Sequence, residues 1–204
     1  MRMNLAEEFG DIDIYLFDQL LKGTYTHCRK IVDVGCGTGR NIHFFLKSGY
    51  EVYGLDPDAN AIAHTRALCS RISPETDPEN FVVASAEYNS FRDNLFDLAI
   101  CSAVLHFARN SQHFESMLAG AWRLVKPGGY LFARLATDIG IESVVVDKGN
   151  GRYLLPDGTT RYLVNHDKLL HYTKALNAEL HEPIKTTNVN NIRCMTTWCL
   201  RKRG

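Results

Sequence analysis

The sequence predicts an α/β fold: a doubly wound, mostly parallel sheet of seven strands with an antiparallel last strand and helices on both faces. Three observations predict it. The apolar run 31–34 stops at a glycine-rich turn and passes into the apolar-periodic stretch Ile42, Phe44, Phe45, Leu46. Strand-like runs then alternate with helix-period segments as far as residue 135, the pattern of a parallel sheet covered on both sides. Finally, the runs 183–187 and 194–200 are β-rich and joined by Asn188, Val189, Asn190 and Asn191, which describes a hairpin and so an antiparallel last strand.

Each element has its own signal. Ile12, Leu16 and Leu20, with Ile14, Phe17 and Leu21, share one wide apolar face, predicting an N-terminal helix over about 11–22 that Gly23 stops. It either covers a ligand cleft or pads the core. Residues 51–55 form the second strand, with Asp56 at its carboxyl end, and Asp58 caps a helix over 59–72. The proline-rich polar run 73–80 is a loop. Strands three and four are 81–84 and 96–101, followed by a helix over 110–125. The sequence Lys126-Pro127-Gly128-Gly129 is a turn, and 130–134 is the fifth strand. Runs on either side of Asp157-Gly158 predict an inserted hairpin at about 150–164. A helix and the closing hairpin fill about 166–201. The whole chain, 1–204, is one domain around a core at about 30–135.

Composition excludes several classes of partner. Lys plus Arg equals Asp plus Glu, at 23 each, so no net field favours nucleic acid or an anionic membrane. The first residues turn acidic where the apolar part of an export signal would begin, and no apolar run reaches the length of a membrane span. The six cysteines are scattered without a C-x-x-C pair, which fits reduced thiols in a cytoplasmic protein and no metal site. Cys194 and Cys199, five apart in a strand, point to opposite faces.

The glycine loop is the chief functional signal. Gly35, Gly37 and Gly39 let the backbone turn sharply and admit a ligand close to the main chain, and a helix start then offers free N–H groups. The spacing is G-x-G-x-G with Asp33 two residues earlier, unlike the G-x-G-x-x-G dinucleotide fingerprint. A carboxylate there suits a cationic ligand and repels a diphosphate. Asp56, 21 residues after Gly35, sits where a doubly wound sheet meets the ribose of a nucleoside.

The acid-x-Gly-x-Gly-x-Gly run resembles the first motif of the class I methyltransferases, Rossmann-like enzymes that bind S-adenosylmethionine. Ser85-Ala86-Glu87, ending in Phe91, resembles their adenine-holding segment, with a serine where the family has an aspartate. The fourth-strand region 96–107 and Pro127-Gly128-Gly129 resemble later motifs, in order, so the match covers 31 to 135. The resemblance implies S-adenosylmethionine as cofactor, held by Asp33, Gly35, Cys36, Gly37, Gly39, Asp56, Ala86, Glu87 and Ser102. It implies methyl transfer by in-line displacement to a small molecule. A more distant similarity is to bacterial tellurite- and thiol-methylating enzymes. The absence of an Asn/Asp-Pro-Pro-aromatic tetrad after strand four argues against a DNA adenine methylase. A non-catalytic cofactor-binding module and an NAD-dependent oxidoreductase are the alternatives.

His106, just past the fourth strand, is the candidate base, or else a hydrogen-bonded loop histidine. The acceptor side falls to Arg134, Arg152 and Tyr153, with Arg161 and Tyr162 nearby. Arg134, at the end of a core strand, either binds an anionic acceptor through its planar fork or pairs with an acid such as Glu142.

Overall fold

The computed structural model describes residues 4–204. Met1–Met3, part of the segment read above for an export signal, lie outside the described residues. The chain opens with two short helices, α1 (Leu5–Phe9) and α2 (Ile14–Leu21). Helix α2 starts later than the apolar period suggests because Asp13 caps it, its side chain accepting from the Tyr15 N–H. Then come β1 (Lys30–Val34), α3 (His43–Lys47), β2 (Glu51–Asp56), α4 (Ala59–Ile72), β3 (Phe81–Val83) and β4 (Phe96–Ser102). The predicted Asp58 cap of α4 is present, its carboxylate accepting from the Asn60 N–H at 2.8 Å.

Helix α5 (Ser111–Leu124) leads into β5 (Val125–Thr137). Here the expected turn at 126–129 is absorbed into the strand. Gly128, at φ +79°, lets the chain stay paired with β4 across a register shift between Phe96 and Leu98. The inserted hairpin is present as β7 (Arg152–Leu154) and β8 (Thr160–Tyr162), and a third strand, β6 (Val146–Asp147), extends it. Helix α6 (His166–Ala175), β9 (Ala178–Leu180), β10 (Lys185–Val189) and β11 (Arg193–Lys202) complete the chain.

The main sheet runs β3-β2-β1-β4-β5-β11-β10, with β9 pairing part of β11 as an eighth strand. Strands β1 to β5 are mutually parallel, whereas β11 is antiparallel to β5, β9 and β10. The last strand therefore enters between β5 and β10, and the strand before it takes the edge. Alternate side chains of the central strands feed two cores. Ala99, Cys101, Leu131 and Ala133 join Phe114 and Leu169 on one face, while Leu98, Ile100 and Phe132 join Leu16, Phe45 and Ile62 on the other. Trp198 is fully buried, and its indole N–H donates to the Thr173 hydroxyl at 3.0 Å, docking α6 on β11. No helix among the described residues is long and apolar enough to cross a membrane.

Candidate functional site

The order of strands places the switch point of the sheet at β1 and β4, whose carboxyl ends open onto the site. Gly35, directly after β1, has φ +75°, and a Cβ there would lie 2.4 Å from Val104 Cγ2. Gly37 has φ +54° and nothing within 4 Å of where its Cβ would be, so the loop presents bare backbone to open space. The helix that follows has only five residues and no side-chain cap, so the loop itself, and not a long helix dipole, shapes this edge.

Asp56 ties the loop to the second strand. Its Oδ2 accepts from the Gly37 N–H at 2.9 Å and its Oδ1 from the Asp58 N–H at 2.9 Å. Thr65 holds the same turn from α4, its hydroxyl donating to the Gly37 carbonyl at 2.8 Å. Asp33 is fully enclosed, and neither of its carboxylate oxygens has a partner among the described residues. Burial pushes its pKa up to about 7, the Asp56 charge adding to the rise and Arg40 opposing it.

A cavity of about 500 Å³ lies against these groups, lined by Gly35, Asp56, Ser85, Ala86, Glu87 and Ala103 among others. Of the residues named from the sequence, Gly35, Asp56, Ala86 and Glu87 line it, while Asp33, Cys36, Gly37 and Gly39 build the loop behind it. Cys36 is packed beside Gly54, and burial raises its thiol pKa well above the usual range. Ser102 turns away: its hydroxyl donates to Asp13 Oδ2 at 3.1 Å. Its neighbour Ala103 lines the cavity at φ +63°, a conformation rare for a residue with a Cβ, pinned by its N–H to the Arg134 carbonyl at 2.7 Å.

The sequence reasoning missed His113 and Gly120, both on α5. Burial acts to raise the Glu87 pKa, but its own backbone N–H and the His113 side chain outweigh it and hold the carboxyl below its usual range. His113 Nε2 lies 3.0 Å from Glu87 Oε1, and its Nδ1 accepts from the Arg109 N–H, so the imidazole donates to the carboxylate. A Cβ on Gly120 would lie 2.1 Å from the Ala86 carbonyl oxygen. That glycine lets α5 press directly on the Ser85–Glu87 turn. A helix interior glycine in an otherwise apolar-periodic run was the available signal.

Asp13 joins four elements beside the cavity. Its Oδ2 takes Arg134 Nη1 at 3.2 Å and Ser102 Oγ at 3.1 Å, with Arg40 Nη2 at 3.7 Å, and its N–H donates to Asn41 Oδ1 at 3.0 Å. Arg134 thus pairs with Asp13, not with Glu142, and its guanidinium lies 5.1 Å from the Tyr15 ring centroid. Helix α2 is held over the carboxyl edge of the sheet by this pair.

His106 is buried, and its Nδ1 accepts the Ala136 N–H at 3.1 Å. The neutral ring therefore carries its proton on Nε2. Burial, with the Arg161 and Arg134 charges, lowers its pKa to about 4. Its free atom is a donor, an arrangement that opposes the role of proton acceptor. Arg134 and His106 line a second recess beside the first cavity, together with Arg161, whereas Arg152 and Tyr153 do not. Tyr153 packs instead on a small core containing Leu155 and Leu163.

A family model described as a methyltransferase domain matches residues 32–133, half of the chain. The ubiquinone biosynthesis O-methyltransferase of Pectobacterium atrosepticum is 33% identical over 106 residues, covering 51% of this chain and 41% of that protein. The probable S-adenosyl-L-methionine-dependent methyltransferase TehB of Haemophilus influenzae is 27% identical over 114 residues, covering 53% of this chain and 37% of its own. The matched segments thus span only about two fifths of these relatives' lengths. A SAM-dependent methyltransferase of Methanosarcina mazei superposes with a TM-score of 0.73 at 20% identity, covering 90% of this chain and 97% of the other, which establishes the shared fold. With the glycine loop, Asp56 and the Ser85–Glu87 turn gathered around one cavity, and with the family model spanning β1 to β5, the chain belongs to the methyltransferase domain family, the S-adenosylmethionine-dependent class that its motifs resemble.

Proposed function

We propose that this protein transfers the methyl group of S-adenosylmethionine to a small-molecule acceptor. The observation that carries the reading is the cavity itself, where the glycine loop, Asp56 and the Ser85–Glu87 turn converge at the carboxyl ends of β1, β2 and β4. The residues fit a cationic adenosyl ligand. The partnerless Asp33 carboxylate lacks the positive charge that such a ligand brings, and the loop is open at Gly37.

When bound, S-adenosylmethionine supplies an electrophilic methyl on a sulfonium centre. Asp56 is suited to accept from the ribose hydroxyls while keeping its two backbone donors, and Ser85 with Glu87 to meet the adenine edge. Met117, Phe107 and Val104 give the cavity an apolar wall suited to limiting water at the transfer. The chain's main contribution is alignment of acceptor and methyl, worth several kcal/mol in the best intramolecular cases (roughly 7–11 kcal/mol). A small-molecule acceptor follows from the confined site, and the balanced charge favours no nucleic-acid partner. The six free, buried cysteines support a cytoplasmic setting.

Calorimetric titration with S-adenosylhomocysteine tests the reading. Binding is expected, weakened at least about tenfold in Asp56→Ala, with no comparable binding of NAD. Preference for NAD overturns it. Transfer from methyl-labelled donor into pooled small molecules then tests catalysis, and cofactor binding without transfer to any pool points to a binding module.

A further inference from the structure

The second recess, about 350 Å³, adjoins the cofactor cavity, since Ala103 and Phe107 line both. Four arginines face it from four parts of the fold: Arg40 from the glycine loop, Arg134 from the end of β5, Arg161 from β8 and Arg193 from the start of β11. Among the described residues, two carboxylates answer them. Asp13 takes Arg134 and approaches Arg40, and Asp157 lines the recess with its Oδ1 already accepting from the N–H and hydroxyl of Thr159. Arg134 Nε is buried without a partner among the described residues, and the Arg161 guanidinium lies 4.9 Å from the Phe107 ring centroid. The remaining walls include Leu155, Met195 and Ala136. His106 adds an N–H donor, because its Nδ1 is taken by Ala136.

The recess therefore offers positive charge, planar donor forks and an apolar wall, and among its described lining side chains the only carboxylate is that of Asp157, beside Arg161 and Arg193. We propose that the acceptor is a small organic carboxylate, held by Arg134 and Arg161 with Arg40 and Arg193 around it, and that its own anionic oxygen receives the methyl group without a catalytic base. This rests on the methyltransferase reading above. The carboxylate oxygen forms the new bond to the methyl carbon, the carbon–sulfur bond breaks, its electron pair stays on sulfur, and no proton moves. A sulfonium and an anion become a neutral thioether and a neutral methyl ester. The ester no longer binds the guanidinium groups as an anion, so transfer itself loosens the product.

The test begins with the S-adenosylhomocysteine-loaded protein, titrated with benzoate and hexanoate, with the matching amides, and with inorganic phosphate. At least one acid is expected to bind ten or more times tighter than its amide and than phosphate. Arg161→Gln is expected to remove that preference, Arg161→Lys to restore part of it, and both to leave S-adenosylhomocysteine affinity within about twofold. With labelled donor and a metabolite extract split into anionic and non-anionic pools, label should enter the anionic pool as base-labile ester. At saturating donor, kcat should be flat from about pH 6 to pH 9, in the unaltered protein and in His106→Gln alike. Equal binding of acids and amides, a preference for phosphate, label in the non-anionic pool, no label from the acids, or an acidic limb abolished by His106→Gln overturns the proposal. Failure to bind S-adenosylhomocysteine at all instead overturns the cofactor reading on which it rests.

Discussion

Asp13 and Arg134, 121 positions apart, meet at 3.2 Å, and through that contact the N-terminal helix is fastened to the carboxyl end of the fifth strand. The same carboxylate caps α2 and accepts from Ser102, so one buried side chain serves a helix end, a strand end and an arginine together. Asp13→Ala removes a cap and strands a mostly buried guanidinium. A loss of about 2–4 kcal/mol in unfolding free energy is expected. Denaturant titration measures it, and limited proteolysis should show early cleavage between α2 and β1.

The proposed cofactor role of Asp33 predicts an affinity that depends on pH. Its pKa lies near 7 in the free protein because burial disfavours the charge. Below that value it is neutral, and above it an unpaired carboxylate is exposed to a cationic ligand's field. Affinity for S-adenosylmethionine should therefore rise as pH increases through about 7, and the rise should vanish in Asp33→Asn. Calorimetry from pH 6 to pH 8.5 checks both.

The same shift has the opposite sign for stability. The folded state holds the Asp33 proton more tightly than the unfolded chain, so this group's contribution to stability falls as pH climbs from about 4 to about 7. Asp33→Asn should raise the melting temperature of the ligand-free protein at pH 8 by a few degrees, about 2–4 °C for each kcal/mol recovered. It should leave the melting temperature near pH 4 almost unchanged. Thermal unfolding at the two pH values distinguishes this from a general stabilisation.

Gly120 sets helix propensity against packing. In an isolated helix, glycine to alanine gains up to about 1 kcal/mol. Here the new methyl would meet the Ala86 carbonyl at 2.1 Å, so α5 or the Ser85–Glu87 turn has to move. Gly120→Ala is expected to destabilise by about 1–3 kcal/mol and to weaken S-adenosylhomocysteine binding. A stabilised variant with unchanged affinity would contradict the close approach.

The cysteines should be silent in the native protein. All six are buried, and burial drives the Cys28 and Cys199 thiols up to about 12. Reaction with a thiol reagent at pH 8 should follow unfolding, with six thiols titrating in denaturant and almost none before it.

Much of this was legible in the chain because it is local. Apolar runs at 31–34, 51–55 and 96–101 became β1, β2 and β4, and the glycine loop and Asp56 needed only spacing along one βαβ unit. The helix after the loop appears where Ile42, Phe44, Phe45 and Leu46 placed it, over His43–Lys47. The turn expected at Pro127-Gly128-Gly129 was lost because pairing with β4 tolerates a bulge where a glycine takes up the positive φ. Nothing in residues 183–200 said that β11 would pass between β5 and β10, since a hairpin has the same local pattern whichever strand takes the edge.

The sequence by itself determined the class of sheet, its glycine-rich loop and its family, because those depend on residue type at short spacing. Only the tertiary structure decided that Arg134 pairs with Asp13, that His106 carries its proton on Nε2, and that Arg40, Arg134, Arg161 and Arg193 share one recess. Each of these depends on which groups are brought within a few ångströms by strand order and helix docking. Hydrogen bonding and charge act across those distances and leave no periodic trace along the chain.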